Sequence, residues 1–217
     1  MEVLISFILH SPVTEYVVAT LFMFSLFRFS IKDYIPHTVF FCLLMSYFSA
    51  TLHQTGAEAI APSLQMLLFI VCIWLLFRLH LFYALIMGVT GYHAYIIFQL
   101  PIMYAMHKCG WWDVDSGDGI EWVQLSTVII VGAATLIMRR YHLGFTFIPS
   151  SETRRVVFHK YNVIMLIVAV SDIVLEGMFL AVYRSKVEEL IIIASVIQFL
   201  IMLFFLHYSL KKEQNLY

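Results

Sequence analysis

The stretch LFYALIMGVTGYHAYIIFQLPIMYAM, Leu81–Met106, decides the fold. It contains no Asp, Glu, Lys or Arg. It also exceeds the roughly 20 residues that carry an α-helix across a hydrocarbon core about 30 Å thick. No water is present at that depth to satisfy backbone N–H and C=O groups, so a segment placed there must bond to itself as a helix. Moving outward along the chain, the same apolar character recurs near residues 13–27, 35–51, 62–77, 122–138, 161–183 and 189–208. The expected architecture is therefore all-α: a polytopic transmembrane helical bundle of seven spans, forming a single transmembrane domain over residues 1–217.

Composition agrees. Hydrophobic residues make up 62% of the 217 and charged residues 12%, where a soluble domain carries roughly a quarter charged. The mean hydropathy is +0.89. No basic block forms a nucleic-acid footprint, and the N-terminus lacks the positive region and small-residue site of a cleavable signal peptide. The bilayer is the first expected partner.

Helix starts are legible at two prolines. Pro12 is suited to a first helical position, with Ser11 as cap and Glu15 in the first turn, where Glu15 is expected at the interface; Pro62 opens the third helix in the same way. Val3–His10 is too short to span. Gly88 and Gly91 permit close packing, as do Gly132, Ala133 and Ala134. Pro101 permits a kink.

Orientation follows from the basic residues. Placing the first connection inside puts Arg28, Lys32, Arg78, Arg139, Arg140, Arg154, Arg155, Lys160, Lys211 and Lys212 inside, and Lys108, Arg184 and Lys186 outside, out of 13 Lys and Arg in all. Cationic side chains are retained on the cytoplasmic side, so the N-terminus is expected outside and the C-terminus inside. The outer loop after the fourth span holds Asp113, Asp115, Asp118 and Glu121 with Trp111, Trp112 and Trp122, as in an aromatic belt. Residues 139–160 form a basic cytoplasmic loop, read either as a helical extension capped by Ser150 or Ser151 or as a segment lying on anionic lipid.

Candidate functional residues are the polar groups stranded in apolar segments. Asp172 falls at the middle of the sixth span, and Glu176 lies one turn further on the same face. Each carboxylate at bilayer centre costs about 2.5–3.5 kcal/mol on insertion scales, so the pair must face protein or water. The functional reading is proton coupling, cation binding or anchoring of a basic ligand. The structural reading is an interhelical hydrogen bond to Gln65, Gln124, Gln198 or His93. His93 and Gln198 complete the candidate set.

No catalytic constellation stands out. Gly117-Asp118-Gly119 belongs to a loop rather than a helix, and His107 and Cys109 lack a third orienting group. A metal site from His107, Cys109, Asp113 and Asp115 matches no strong spacing. Cys42 and Cys72 read as small hydrophobes. A non-enzymatic protein without metal or cofactor is expected.

The exit of the last span, FLHYSLKKEQNLY, runs an apolar helix into a charged helical stretch. Together with the length and the short-looped spans, this resembles the membrane input domain of accessory-gene-regulator-type peptide-sensing histidine kinases. The resemblance is architectural and covers most of the chain. It implies a sensory or signalling role. The sequence here holds no phosphoacceptor helix and no ATP-binding domain, so a protein partner at the cytoplasmic face is expected to carry the output. No family site residue matches a position here. The alternative is a small transporter, or a substrate-binding transporter subunit, using the intramembrane carboxylates; a scaffold or immunity protein is a third reading. The 19 Phe and the short connections suggest a bacterial cytoplasmic membrane.

Overall fold

The computed structural model describes residues 12–56, 60–111, 119–148, 160–182 and 187–214. Among these the chain forms seven α-helices and no strand: α1 (Pro12–Leu26), α2 (Ile35–Gln54), α3 (Ala61–Leu76), α4 (Leu81–Lys108), α5 (Ile120–Arg140), α6 (Lys160–Val182) and α7 (Val187–Gln214). A short 3-10 turn, Lys32–Tyr34, leads into α2. Pro62 stands in the first turn of α3, where its missing N–H breaks no helical bond. His80 caps α4, its Nδ1 accepting from the Phe82 N–H at 3.3 Å.

Three helical stretches, Ile35–Leu52, Leu81–Lys108 and Ile120–Arg140, are long and apolar enough to cross a membrane. Apolar side chains also cover the outside of the bundle. Phe40 and Tyr47 of α2, Leu136 of α5 and Ile167 of α6 are 56%, 74%, 70% and 59% exposed. A surface of this kind is compatible with lipid, whereas soluble monomers rarely expose large apolar patches.

α4 is the axis of the bundle and packs against α1, α3, α5, α6 and α7. Two glycines make this approach possible. A Cβ on Gly88 would meet Ile70 Cγ1 of α3 at 2.6 Å, and one on Gly91 would meet Met23 Cγ of α1 at 2.6 Å. Both positions match the close packing expected of them. On α5 only Ala134 does, half-buried against the cluster of Ala19, Phe22, Ala94, Tyr95 and Val131. Among the described residues a Cβ on Gly132 would meet nothing within 4 Å, and Ala133 is exposed. The inward stripe of α5 is instead Val123, Thr127, Val131 and Thr135, at four-residue spacing. Lipid is as apolar as a protein interior, so hydrophobic residues do not reveal which way such a helix turns. The two hydroxyls of this stripe are satisfied locally: Thr127 and Thr135 donate to the carbonyls of Val123 and Val131 at 2.8 and 2.7 Å.

At the end of the bundle where α1, α3 and α5 stop, each helix reverses through a basic or imidazole-bearing residue in the left-handed region. Arg28, Arg78 and His142 have φ of 47°, 50° and 52°. α1 and α5 close with the same pair of bonds: Arg28 N–H to Ser25 O and Phe29 N–H to Phe24 O, then His142 N–H to Arg139 O and Leu143 N–H to Met138 O. These are Schellman caps, which occupy the last carbonyls of each helix.

The connection leaving α5 folds back against the end of α1. Phe145 N–H donates to Leu26 O at 2.8 Å. Gly144, at φ +133°, makes the approach possible, since a Cβ there would meet the Ser25 and Leu26 carbonyl oxygens at 2.6 and 2.7 Å. Residues 141–148 are therefore a packed, non-helical connection with Phe145, Phe147 and Ile148 buried. The helical start expected at Ser150 or Ser151 lies outside the described residues.

Candidate functional site

Of the four residues singled out in the sequence, Asp172 and Glu176 belong to α6 and Gln198 to α7. Their side chains lie outside the described residues. His93 is buried in α4, and its Nδ1 lies 2.8 Å from the Val89 carbonyl oxygen one turn back. A carbonyl only accepts, so Nδ1 carries the proton. The ring also stands edge-on to Tyr92, with centroids 6.2 Å apart. Gln65, a proposed partner for the acidic pair, donates from Nε2 to Ser49 Oγ of α2 at 3.2 Å.

One acidic group emerges where the sequence reading did not place it. Glu15 was expected at the interface, yet its Oε1 is enclosed in the bundle. Its carboxyl faces the Tyr95 side chain of α4. Neither Glu15 Oε1 nor the Tyr95 hydroxyl has a hydrogen-bond partner among the described residues. Helical rise contains a signal that could have found the enclosed Glu15. Glu15 lies about 20 Å along the chain from Arg28 at roughly 1.5 Å per residue, short of the about 30 Å that separates two interfaces.

The second polar cluster is at the opposite end, where α7 emerges. Lys212 turns its ammonium into an aromatic cage, with Nζ 4.3 Å from the ring centre of Phe147, 5.0 Å from Tyr83 and 5.3 Å from Phe82. Nζ is buried and has no hydrogen-bond acceptor among the described residues. Burial pushes its pKa down to about 8, while the three ring faces offset part of the desolvation of the charged form. The adjacent Glu213 accepts from Thr146 twice, through its backbone N–H at 3.2 Å and its hydroxyl at 2.7 Å. The end of α7, the first turn of α4 and the connection after α5 are thereby clasped together. Composition shows Lys211 and Lys212 only as a basic tail; the cage appears once α4 and Phe147 are brought beside it.

Among the described residues no group of His, Cys, Asp and Glu is arranged to hold a metal ion; Asp113 and Asp115 lie outside them. Cys42 and Cys72 are buried and Cys109 is exposed. The chain matches no protein-family model, no curated protein and no solved structure.

Proposed function

We propose that the chain is a multi-pass protein of a cell membrane, with seven spans, its N-terminus outside and its C-terminus inside, acting as a non-enzymatic sensory module that signals through a protein partner at the cytoplasmic face. The observation that carries this reading is the clasp around Lys212 and Glu213. α7 is continuous from the bundle to this clasp, so a shift or rotation of α7 must move Lys212 within its cage and strain the Glu213–Thr146 bonds. A buried cation is held at one position by three ring faces, and a packed contact of this kind passes between discrete arrangements rather than deforming smoothly. The resemblance to peptide-sensing input domains supports the same direction of signal, from the bundle to the inner end of the last helix.

A second reading is favoured by Glu15. A carboxyl enclosed within the bundle and facing Tyr95 is the kind of intramembrane group a transporter or its substrate-binding subunit uses, as are the carboxylates Asp172 and Glu176 of α6.

Photocrosslinking in the native host from Leu210 and Gln214, both exposed beside the clasp, separates the two. Signalling is expected to produce a discrete protein adduct whose yield changes when Glu213→Ala, which removes the oxygen that accepts from Thr146, opens the clasp, and Asp172→Asn with Glu176→Gln to alter that yield without abolishing it. An adduct indifferent to Glu213→Ala, or none, overturns signalling. Loss of solute uptake in the Asp172→Asn, Glu176→Gln variant establishes transport in its place.

A further inference from the structure

A cleft of about 410 Å³ opens where α1 and α5 end and the 3-10 turn begins. Arg28, Lys32, Arg139 and His142 line it, Ser25 and Phe24 contribute to its wall, and no carboxylate is among the described lining residues. Among the described side chains the cationic and imidazole groups gather here without an acidic partner.

We propose that this cleft binds a phosphate group, supplied by the headgroup of an anionic lipid in the adjacent leaflet or by a soluble phosphate-bearing ligand. Three features support it. First, Arg139 donates from Nε to Ser25 Oγ at 2.9 Å, which fixes the guanidinium across the cleft. Its remaining N–H groups make no hydrogen bond among the described residues, and a held guanidinium fork matches two phosphate oxygens. Second, the two helix ends that flank the cleft carry the negative pole of the helix dipole, but Schellman bonds occupy part of their carbonyls and the cations outnumber them, so their repulsion of an anion is lessened. Third, the residues that turn the chain at those ends are Arg28 and His142 in left-handed conformations. Glycine adopts this backbone without strain, whereas a side chain crowds the following carbonyl. The charge–dipole attraction at a helix C-terminus accounts for part of that preference. It does not account for Lys32, or for Arg139 being steered by Ser25 into the same space.

The placement beside a leaflet rests on the membrane reading above; the binding chemistry does not depend on the signalling role. The test is native mass spectrometry of the full chain released from detergent micelles, titrated separately with phosphatidylglycerol, phosphatidylcholine and inorganic phosphate. Retention of phosphatidylglycerol over phosphatidylcholine is expected, weakened about fivefold for each cation removed in Arg28→Gly and Arg139→Gln. Because glycine suits the backbone at position 28, Arg28→Gly is expected to keep or raise thermal stability while losing affinity, which separates a binding role from a capping role. Displacement of the lipid by inorganic phosphate identifies a soluble phosphate as the ligand, and its failure to compete identifies the lipid. Equal retention of both lipids with no phosphate adduct, or unchanged affinity in the folded Arg28→Gly, Arg139→Gln double variant, overturns the proposal. A chain that stays soluble without detergent would refute the membrane reading before any titration begins.

Discussion

Lys212 sits where electrostatics and packing oppose one another. With its pKa lowered to about 8 from 10.5 by burial, the unfolded chain binds the proton more tightly than the folded one. Stability linked to this group is therefore least below pH 8, rises between pH 8 and 10.5, and is complete above that range. The stability of wild type relative to Lys212→Met, followed as the thermal midpoint in detergent, is expected to climb through this window. A flat difference would show that the ammonium is solvated rather than caged. Glu15 and His93 make the complementary point. Both are polar residues in apolar helices, and only neighbouring helices decide their surroundings: His93 is turned back onto its own helix at Val89, while Glu15 is enclosed facing Tyr95.

For the helices, the decisive quantity is which face turns inward. Gly88 and Gly132 are alike in sequence, each a glycine among aliphatic neighbours in a long apolar helix. A Cβ on the first would press on Ile70, and one on the second would meet nothing within 4 Å among the described residues. Gly88→Ala should lower the thermal midpoint, at an overpacking cost of about 1–3 kcal/mol. Gly132→Ala should raise it, since alanine is favoured over glycine inside a helix by about 1 kcal/mol. The same sign for both, measured in the same detergent, would mean that α4 and α5 are not packed as described. The existence of these helices was legible because apolar length alone demands them. Their facing was not, because a lipid-exposed side and a buried side are both apolar. Thr127 and Thr135 are the clue on α5, with buried hydroxyls at the four-residue spacing of its inward stripe.

Across the whole molecule, the native cysteines report topology without further engineering. Cys109 is exposed at the end of α4, and Cys42 and Cys72 are buried. The proposed topology, with the N-terminus outside, puts Cys109 on the outer side. A membrane-impermeant thiol reagent added to intact cells should therefore label Cys109 alone, and Cys109→Ser should abolish the signal. Labelling that needs permeabilised cells would invert the orientation, placing the Lys212 clasp and the cleft at Arg28 on the outer side.

By itself the sequence determined that this chain is helical and apolar enough to meet lipid, and approximately where each helix begins and ends. Backbone hydrogen bonding and prolines such as Pro12 and Pro62 are local matters that neighbouring residues settle. Only the tertiary structure decided that α4 is the axis, that Glu15 is enclosed, that Lys212 meets three rings, and that Arg28, Lys32, Arg139 and His142 share one cleft. Those are meetings between residues far apart in the chain, and they depend on how each helix is rotated about its own axis, which uniformly apolar surfaces leave almost unmarked in the order of residues.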